Sequence, residues 1–387
     1  MKPPPPATST STGLEFMCVS SKSVHAEISA RAAIRPPATP FSTTLPRSRH
    51  GPPVDDTYTR RVDTALVTGV GGQDGIYLAH SLLRDGKRVV GTVTPESAGS
   101  LRVATYLQGV EVVPLDVRDA PALRTLVEQV EPTEVYNLAA VSSVGRSWQQ
   151  PELTIAVNQT AVEVLVDAVL ATRDRTGRDV RFFQASTAEV SGTAAESPYA
   201  RAKAAAEDVV RTAREQSGLH ACYARLHIHE SPVRTVAFVT RKITRGVAEI
   251  ALGQSDRLVL GTLDVVRDWG FAGDYVEAIR LMTAADDPVD LPIGTGRPHS
   301  LLELVECAFA AAGLGRAGTY VEQDPSLVRP ADTAVLVADP EPALRAIGWR
   351  AQMRLKELVG QMVAVDMARL RSGVAESVDY LFPRSAD

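Results

Sequence analysis

The stretch Gly69-Val70-Gly71-Gly72-Gln73-Asp74-Gly75 constrains this chain more than any other. It carries the spacing Gly-x-x-Gly-x-x-Gly, follows the apolar run Ala65-Leu66-Val67, and precedes a helical pattern from Ile76 to Leu83. Glycine there permits positive φ, lets backbone approach a pyrophosphate, and allows a helix to pack closely on a strand. The helix start then offers unpaired N–H groups and a positive dipole end to phosphate. Strand, glycine turn and helix in that order open a dinucleotide-binding βαβ unit. Gly69, Gly72, Gln73, Asp74 and Gly75 are therefore expected at a cofactor.

The alternation continues. Further strands are predicted over Arg88–Val93, Val110–Leu115, Glu134–Ala140 and Val180–Ala185, with helices over Ala122–Val130 and Ile155–Leu170. Strands alternating with helices specify an α/β fold built on a doubly wound parallel (Rossmann) sheet. After about Ser231 the alternation loosens around helical stretches at Arg241–Leu252 and Leu301–Ala312, which predicts a smaller, mainly helical C-terminal substrate lobe. The expected organisation is a dinucleotide-binding domain at 61–230 and a substrate-binding lobe at 231–375, with the chain crossing back to the sheet around 262–280.

Residues 1–60 differ from the rest. They open with Pro3-Pro4-Pro5-Pro6, are rich in proline, serine and threonine, and show no sustained period. Such a segment buries too little apolar surface to offset its ordering entropy, so a disordered tail is expected. Its scattered arginines resemble an organelle transit peptide only loosely; a solvated extension is the plainer expectation. The net charge of −5 gives no reason to expect nucleic acid or an anionic membrane as partner. No uninterrupted apolar run of bilayer length is found. Cys18, Cys222 and Cys307 lie far apart, with no CxxC or metal-ligand spacing. A reduced, cytoplasmic setting without a structural metal follows as an expectation.

The chemistry centres on Tyr199-Ala-Arg-Ala-Lys203. Residues four apart share a helix face, which sets an ammonium near a phenol. The positive charge is expected to lower the tyrosine pKa from its usual value of about 10, fitting the phenol to take a proton from a sugar hydroxyl while hydride leaves for a nicotinamide. Just upstream, the fifth strand ends in Gln184-Ala-Ser-Thr187-Ala-Glu189. Thr187 can hydrogen-bond the reacting oxygen. Glu189 is more telling, because an elimination needs a carboxylate to take the proton α to a new ketone and expel water, and a simple dehydrogenase or epimerase does not; its alternative is a solvated loop acid. Asp116, after the third strand, is placed either to approach an adenine or to cap its strand. The segment Val93-Thr94-Pro95-Glu96 supplies neither the acid that selects NAD nor the arginine that selects NADP. His227 and His229 stand two apart without a third metal ligand, and Trp269 is expected to pack beneath Arg267.

The turn ending in GQDG, Glu134-Val-Tyr-Asn-Leu-Ala-Ala140, QASTAEV at 184–190, SPYARAK at 197–203, HESP at 229–232, VTRKIT at 239–244 and LDVVRDWGFAGDYVEA at 263–278 resemble the GDP-mannose 4,6-dehydratases, which are extended short-chain dehydrogenases. The likeness runs from about Thr64 to Met367. It implies that Thr187, Glu189, Tyr199 and Lys203 form the catalytic set and that Leu138 and His229 join the cofactor contacts. It further implies that Lys242, Arg267 and Arg329 lie near the nucleotide diphosphate, where guanidinium and ammonium groups suit phosphate, and that Ser142 contacts the sugar. NADP is the implied cofactor, with NAD the second choice, a nucleotide sugar the substrate, and a homodimer or homotetramer the assembly.

Some positions depart from the family pattern. Thr94-Pro95 replaces an arginine pair, the segment between Glu189 and Tyr199 is shorter, and Ile228, Val233 and Val236 replace polar residues while Arg234 remains. These last replacements are expected to remove polar contacts at nucleotide, cofactor or subunit surfaces rather than to alter the core. Two other functions stay open: an epimerase or 4-ketosugar reductase using Tyr199 and Lys203 without Glu189, and a non-catalytic dinucleotide-binding regulator.

Overall fold

Thr64–Thr68 (β1) reads TALVT and is buried at every position, as befits a parallel strand covered on both faces. The structure, a computed structural model, describes residues 63–191, 193–327 and 335–383; the predicted tail, Cys18 and Arg329 lie outside them. From β1 the chain passes through the glycine turn to α1 (Gln73–Arg84), β2 (Arg88–Val93), α2 (Leu101–Tyr106), β3 (Glu111–Pro114), α3 (Ala120–Val130) and β4 (Glu134–Asn137). Next come α4 (Val144–Gln149), α5 (Pro151–Ile155), a π-helical turn at Ala156–Thr160, α6 (Ala161–Thr176), β5 (Arg181–Thr187), α7 (Pro198–Ser217) and β6 (His220–Leu226). The remainder holds β7 (Ile228–Glu230), α8 (Val239–Ala251), β8 (Leu258–Leu260), β9 (Val266–Phe271), α9 (Ala272–Ala284), β10 (Leu291–Ile293), β11 (Pro298–Ser300), α10 (Leu301–Ala311), β12 (Val321–Gln323), β13 (Val335–Leu336), α11 (Glu341–Ile347) and α12 (Leu355–Ser372).

Among the described residues the main sheet has the order β10-β6-β5-β4-β1-β2-β3, with every pair parallel. The chain leaves β3 at one edge and re-enters beside β1 as β4. Connections at that switch point diverge to opposite faces and open a crevice at the strand C-termini. This is the expected doubly wound parallel sheet. Its strands alternate cleanly between faces. Ala65, Val67, Val89, Tyr136 and Phe183 join one apolar cluster with α1, α9 and α12. Leu66, Val90, Val135 and Phe182 join another with α3, α6 and α7. That period of two lets one sheet carry two cores.

Several boundaries differ from expectation. β4 stops at Asn137 rather than Ala140 because the Asn137 side chain bonds Thr68 and Gln184 across the sheet, and the chain then turns away. The helix expected from Ile155 starts at Pro151 and runs on to Thr176 through the π turn. By length and composition this run could cross a membrane, with a window of mean hydropathy 1.5. Its Val162, Leu165, Val166 and Val169 instead face α3 and α7 in the second core, the place of a central helix in a folded domain.

After β7 the chain is mainly helical. α8, α10 and α12 surround a third apolar cluster that contains Trp269, while α9 returns to pack on α1, β5 and β6. Two buried carboxylates organise this part. Asp268, at 1% exposure, accepts from Thr295 N (2.9 Å), Thr295 Oγ1 (2.5 Å), Gly296 N (2.8 Å) and Ala338 N (3.2 Å). Asp366 on α12 accepts from Arg241 Nε (2.8 Å) and Thr244 Oγ1 (2.8 Å) on α8 and from Arg369 (3.2 Å) on its own helix. Arg241 passes the constraint on by donating to the carbonyls of Pro232 (3.0 Å) and Arg234 (2.7 Å).

Removing one partner of a buried ion pair leaves the other charge uncompensated, at a cost of about 3–5 kcal/mol. Asp366→Asn should therefore lower unfolding stability by roughly that amount, read from urea midpoints with an unchanged denaturant slope. A loss below about 1 kcal/mol would mean that the two arginines find water instead.

Candidate active site

Ser197 and Pro198 decide where α7 begins. The Ser197 hydroxyl accepts from Ala200 N (3.1 Å) as N-cap, and Pro198 occupies the first helical position, where its missing N–H costs nothing. Tyr199 and Lys203 then fall one turn apart on the buried side of the helix, against the end of β5. Lys203 Nζ donates to the carbonyl of Ala185 (2.8 Å), two residues before Thr187. The Thr187 hydroxyl lies beside the Tyr199 phenol and favours its ionised form, and the Glu189 carboxylate acts electrostatically on the same phenol. Glu189 is half-buried, with its backbone N–H donating to Thr187 Oγ1 (3.3 Å). The expected quartet of Thr187, Glu189, Tyr199 and Lys203 is thus drawn together at one strand end.

Its electrostatics depart from expectation. Burial pushes the Tyr199 phenol up from its ordinary value, and the Thr187 hydroxyl pulls it partly back. Burial also pulls the Lys203 ammonium down to about 8, against the opposing field of Glu207. The lysine is bonded to a carbonyl rather than to the phenol, so in the protein alone desolvation outweighs the charge that would favour phenolate.

The glycine turn fits a dinucleotide phosphate. A Cβ at Gly75 would stand 2.6 Å from Val70 Cα and 2.7 Å from Gly69 O, and Gly69, at φ 70°, lies against the backbone of Ala139. Neither position tolerates a side chain. α1 starts at Gly72 without a side-chain cap, which leaves its first N–H groups for an anion. The acid in that first turn does not compete, because Asp74 is turned to His229 Nε2 (2.9 Å). Gln73 completes the clip, donating to His229 O (3.0 Å) and accepting from Ser231 Oγ (2.7 Å). His229 also stacks on Tyr275, with ring centroids 4.6 Å apart. Gln73, Asp74 and His229 therefore meet each other as well as the crevice.

The other predicted residues scatter along its edges. Leu138 is half-buried just past β4, and Ser142 is exposed before α4. Asp116 follows β3 half-buried and is held by Arg118, which keeps its carboxyl below the usual range. Lys242 is exposed on α8. Arg267 is buried on β9, where one arm donates to Val266 O (2.8 Å).

The replaced positions divide. Val236 is exposed, but Val233 is fully buried in the first core, and Ile228 packs on the third. The expectation that the core is untouched therefore fails at Val233. The reason is that Arg102 NH2 draws the Val233 carbonyl inward (2.8 Å) while its Nε holds Gly71 O (3.0 Å) beneath the glycine turn. Arg102 carries no motif; Arg234, which this loop retains from the family pattern, has its guanidinium 3.5 Å over the Phe238 ring and acts on both Asp74 and Tyr199.

Burial alone would push His229 down, and the Asp74 carboxylate more than reverses this, raising its pKa. A raised histidine stabilises the fold fully below the unfolded value of about 6.5 and loses that contribution as pH climbs through the folded value. His229→Gln should therefore lower the urea midpoint more at about pH 6 than at about pH 9. Equal drops at both would show that the pair contributes packing alone.

A family model described as GDP-mannose 4,6 dehydratase matches residues 66–362. GDP-mannose 4,6 dehydratase 2 of Arabidopsis thaliana is 36% identical over 336 residues, covering 82% of this chain and 90% of its own length. GDP-mannose 4,6 dehydratase 2 of Caenorhabditis elegans is 36% identical over 350 residues, covering 81% and 91%. Among solved structures, the UDP-glucose 4-epimerase of Thermus thermophilus in complex with NAD superposes with a TM-score of 0.68 at 25% identity, covering 80% of this chain and 100% of that one. With the glycine turn, the Tyr199–Lys203 helix and Glu189 on one parallel sheet, this chain belongs to the GDP-mannose 4,6-dehydratase family.

Proposed function

We propose that this protein is a sugar-nucleotide 4,6-dehydratase, a hydro-lyase that converts GDP-mannose to GDP-4-keto-6-deoxymannose. Glu189 carries the proposal: a carboxylate at the end of β5, close enough to act on the Tyr199 phenol, is what an elimination requires and a plain epimerisation does not. In this role residues 61–230 hold the dinucleotide and residues 231–375 hold the sugar nucleotide, in a cytoplasmic homodimer or homotetramer.

A nicotinamide dinucleotide, when bound at the glycine turn, would supply a hydride acceptor regenerated within the turnover, so the sugar would undergo no net oxidation. Tyr199 takes the proton of the C4 hydroxyl, with the Thr187 hydroxyl beside the phenol to favour its ionised form. The Lys203 ammonium lies one turn away to stabilise the negative charge that develops there. Glu189 then removes the proton at C5, acidified by the neighbouring ketone, and passes it to the departing C6 hydroxyl, which leaves as water; the proton that Tyr199 took from the C4 hydroxyl balances the one C5 regains as C6 is reduced. Gly69, Gly72 and Gly75 with the start of α1 receive the pyrophosphate, and Leu138 and Asp116 lie toward the rest of the dinucleotide. Lys242, Arg267 and Arg329 serve the substrate diphosphate and Ser142 the hexose.

NADP is our choice over NAD. Arg118, half-exposed beside Asp116 and within electrostatic reach of Glu96 after β2, is a cation at the strand ends where a 2′-phosphate is held. A mass spectrum of dinucleotide released from freshly purified protein should be dominated by NADP; NAD in its place rules that choice out.

Purified protein given GDP-mannose should form a 4-keto-6-deoxy sugar nucleotide with no net change in nicotinamide absorbance. Absence of product across GDP-, UDP- and dTDP-hexoses, with dinucleotide bound, would sink the dehydratase. An epimerised hexose would instead select the function that uses Tyr199 and Lys203 alone. Glu189→Gln should lower kcat by about 10²–10⁴-fold, the usual worth of a positioned acid–base group, with dinucleotide affinity unchanged. An unaltered kcat removes Glu189 from the chemistry.

A further inference from the structure

One turn beyond Lys203 on α7 stands a second ionisable side chain in the same buried surface. Glu207 is 3% exposed, as is Lys203. Its carboxylate accepts from Ser186 Oγ (2.5 Å) on β5 and from Arg225 Nε (3.0 Å) and NH2 (2.6 Å) on β6. Ser186 lies between Ala185, whose carbonyl receives Lys203, and Thr187, whose hydroxyl lies beside the Tyr199 phenol. Lysine and glutamate on one helix face thus grip consecutive residues of the strand that carries the reacting groups.

We infer that Glu207 is a positioning residue of the reaction: through Ser186 and through its charge it holds Lys203 against β5 as an ammonium. This rests on the role proposed above for Lys203 at the dinucleotide. A buried ammonium needs compensation, and Lys203 donates to the Ala185 carbonyl, which Gln184 Nε2 also uses (2.8 Å). The carboxylate one turn on supplies the missing charge, and its effect on Lys203 opposes that of burial.

The charged groups about Lys203 can be named. Tyr199 and Glu207 share its helix, Glu189 lies beyond β5, and Tyr223 and Arg225 stand on β6, where Arg225 grips Glu207. Of the helices packed on α7, α4 and α5 bring the exposed Arg146 and Glu152, and α6 the half-buried Glu163, which accepts from Gln159 Nε2 (3.1 Å). Tyr199 is raised by burial and Lys203 lowered to about 8, so the first alkaline ionisation among the reacting groups belongs to the lysine.

The test is the pH dependence of NADPH and NADH affinity, measured by calorimetry on the full chain without substrate, alongside the pH profile of kcat/KM. In the wild type both should decline as pH rises past about 8, the value to which burial brings Lys203. Glu207→Gln keeps the shape and removes the charge. It should displace that decline to lower pH, with affinity on the alkaline side down on the order of tenfold, the effect of about one unit in a single ionisation. Arg225→Gln removes a cation that competes for Glu207, at a partly exposed site tolerant of change, and should displace the decline the opposite way. Glu207→Asp should return it toward the wild-type position.

A uniform loss at every pH with the decline unmoved means that Glu207 is packing only, and overturns the proposal. If Glu207→Gln does not fold, an unmoved decline in Arg225→Gln overturns it equally. A wild-type affinity that is flat through the alkaline range also overturns it, because the charge of Lys203 is then not felt at the dinucleotide. Failure of the dehydratase function is separately visible: no sugar product forms, while the displacements in dinucleotide affinity remain and support the role of Glu207.

Discussion

A chain of buried side-chain hydrogen bonds across the C-terminal ends of three strands ties this molecule's two functional halves together. Thr68 Oγ1 donates to Asn137 Oδ1 (2.5 Å), Asn137 Nδ2 to Gln184 Oε1 (2.7 Å), and Gln184 Nε2 to the Ala185 carbonyl (2.8 Å) that also receives Lys203. Thr68 immediately precedes the glycine turn, and Lys203 stands one turn from Tyr199 on α7. Each amide in the chain has both ends assigned by its neighbours, so its orientation is determined. Fully satisfied buried polar networks specify a unique arrangement, whereas a single missing partner leaves a costly group behind. The spacing from the glycine turn to Tyr199 and Lys203 is therefore set by hydrogen bonds perpendicular to the strands as well as by the backbone ladder.

The mainly helical part depends on charge in the same way. Asp268 gathers β9, the Thr295–Gly296 turn and the segment at Ala338. Asp366 clamps α8 to α12 and, through Arg241, fixes the carbonyls of the loop after β7. That loop carries Arg234, which forms an ion pair with Glu230 and acts on Asp74 and Tyr199. The mainly helical part is thus anchored to the loop after β7 through a few buried ion pairs. Such pairs contribute less to net stability than their number suggests; their value here is geometric.

This division explains what the sequence disclosed. The parallel sheet was legible because a strand buried on both faces must be apolar throughout and a helix beside it must be amphipathic, patterns visible without tertiary context. The glycine turn was legible for the same local reason: at Gly69 and Gly75 backbone crowding excludes every side chain. Tyr199, Lys203, Thr187 and Glu189 were legible by order along one strand–helix unit. Arg241, Asp366, Asp268 and Glu207 were not, since a charged residue in a helical or short-strand pattern is ordinarily read as surface, and only the fold supplies the partner that lets it be buried. Edge strand β10 is too short to announce itself, and the pKa directions of Tyr199 and Lys203 depend on burial that no spacing reveals.

Val233 shows how such hidden partners redirect the meaning of a substitution. A polar-to-apolar replacement in a loop suggests a lost surface contact. Here the loop is pulled inward at both ends, by Arg102 on the Val233 carbonyl and by Arg241 on the carbonyls of Pro232 and Arg234. The side chain between those anchors must then enter the first apolar core, where valine is compatible and a long polar group is not. Arg102 also holds Gly71, so the packing of Val233 and the position of the phosphate-binding turn are coupled through one guanidinium. Divergence at this loop therefore reaches the glycine turn from beneath, by changing what the turn rests on through Arg102.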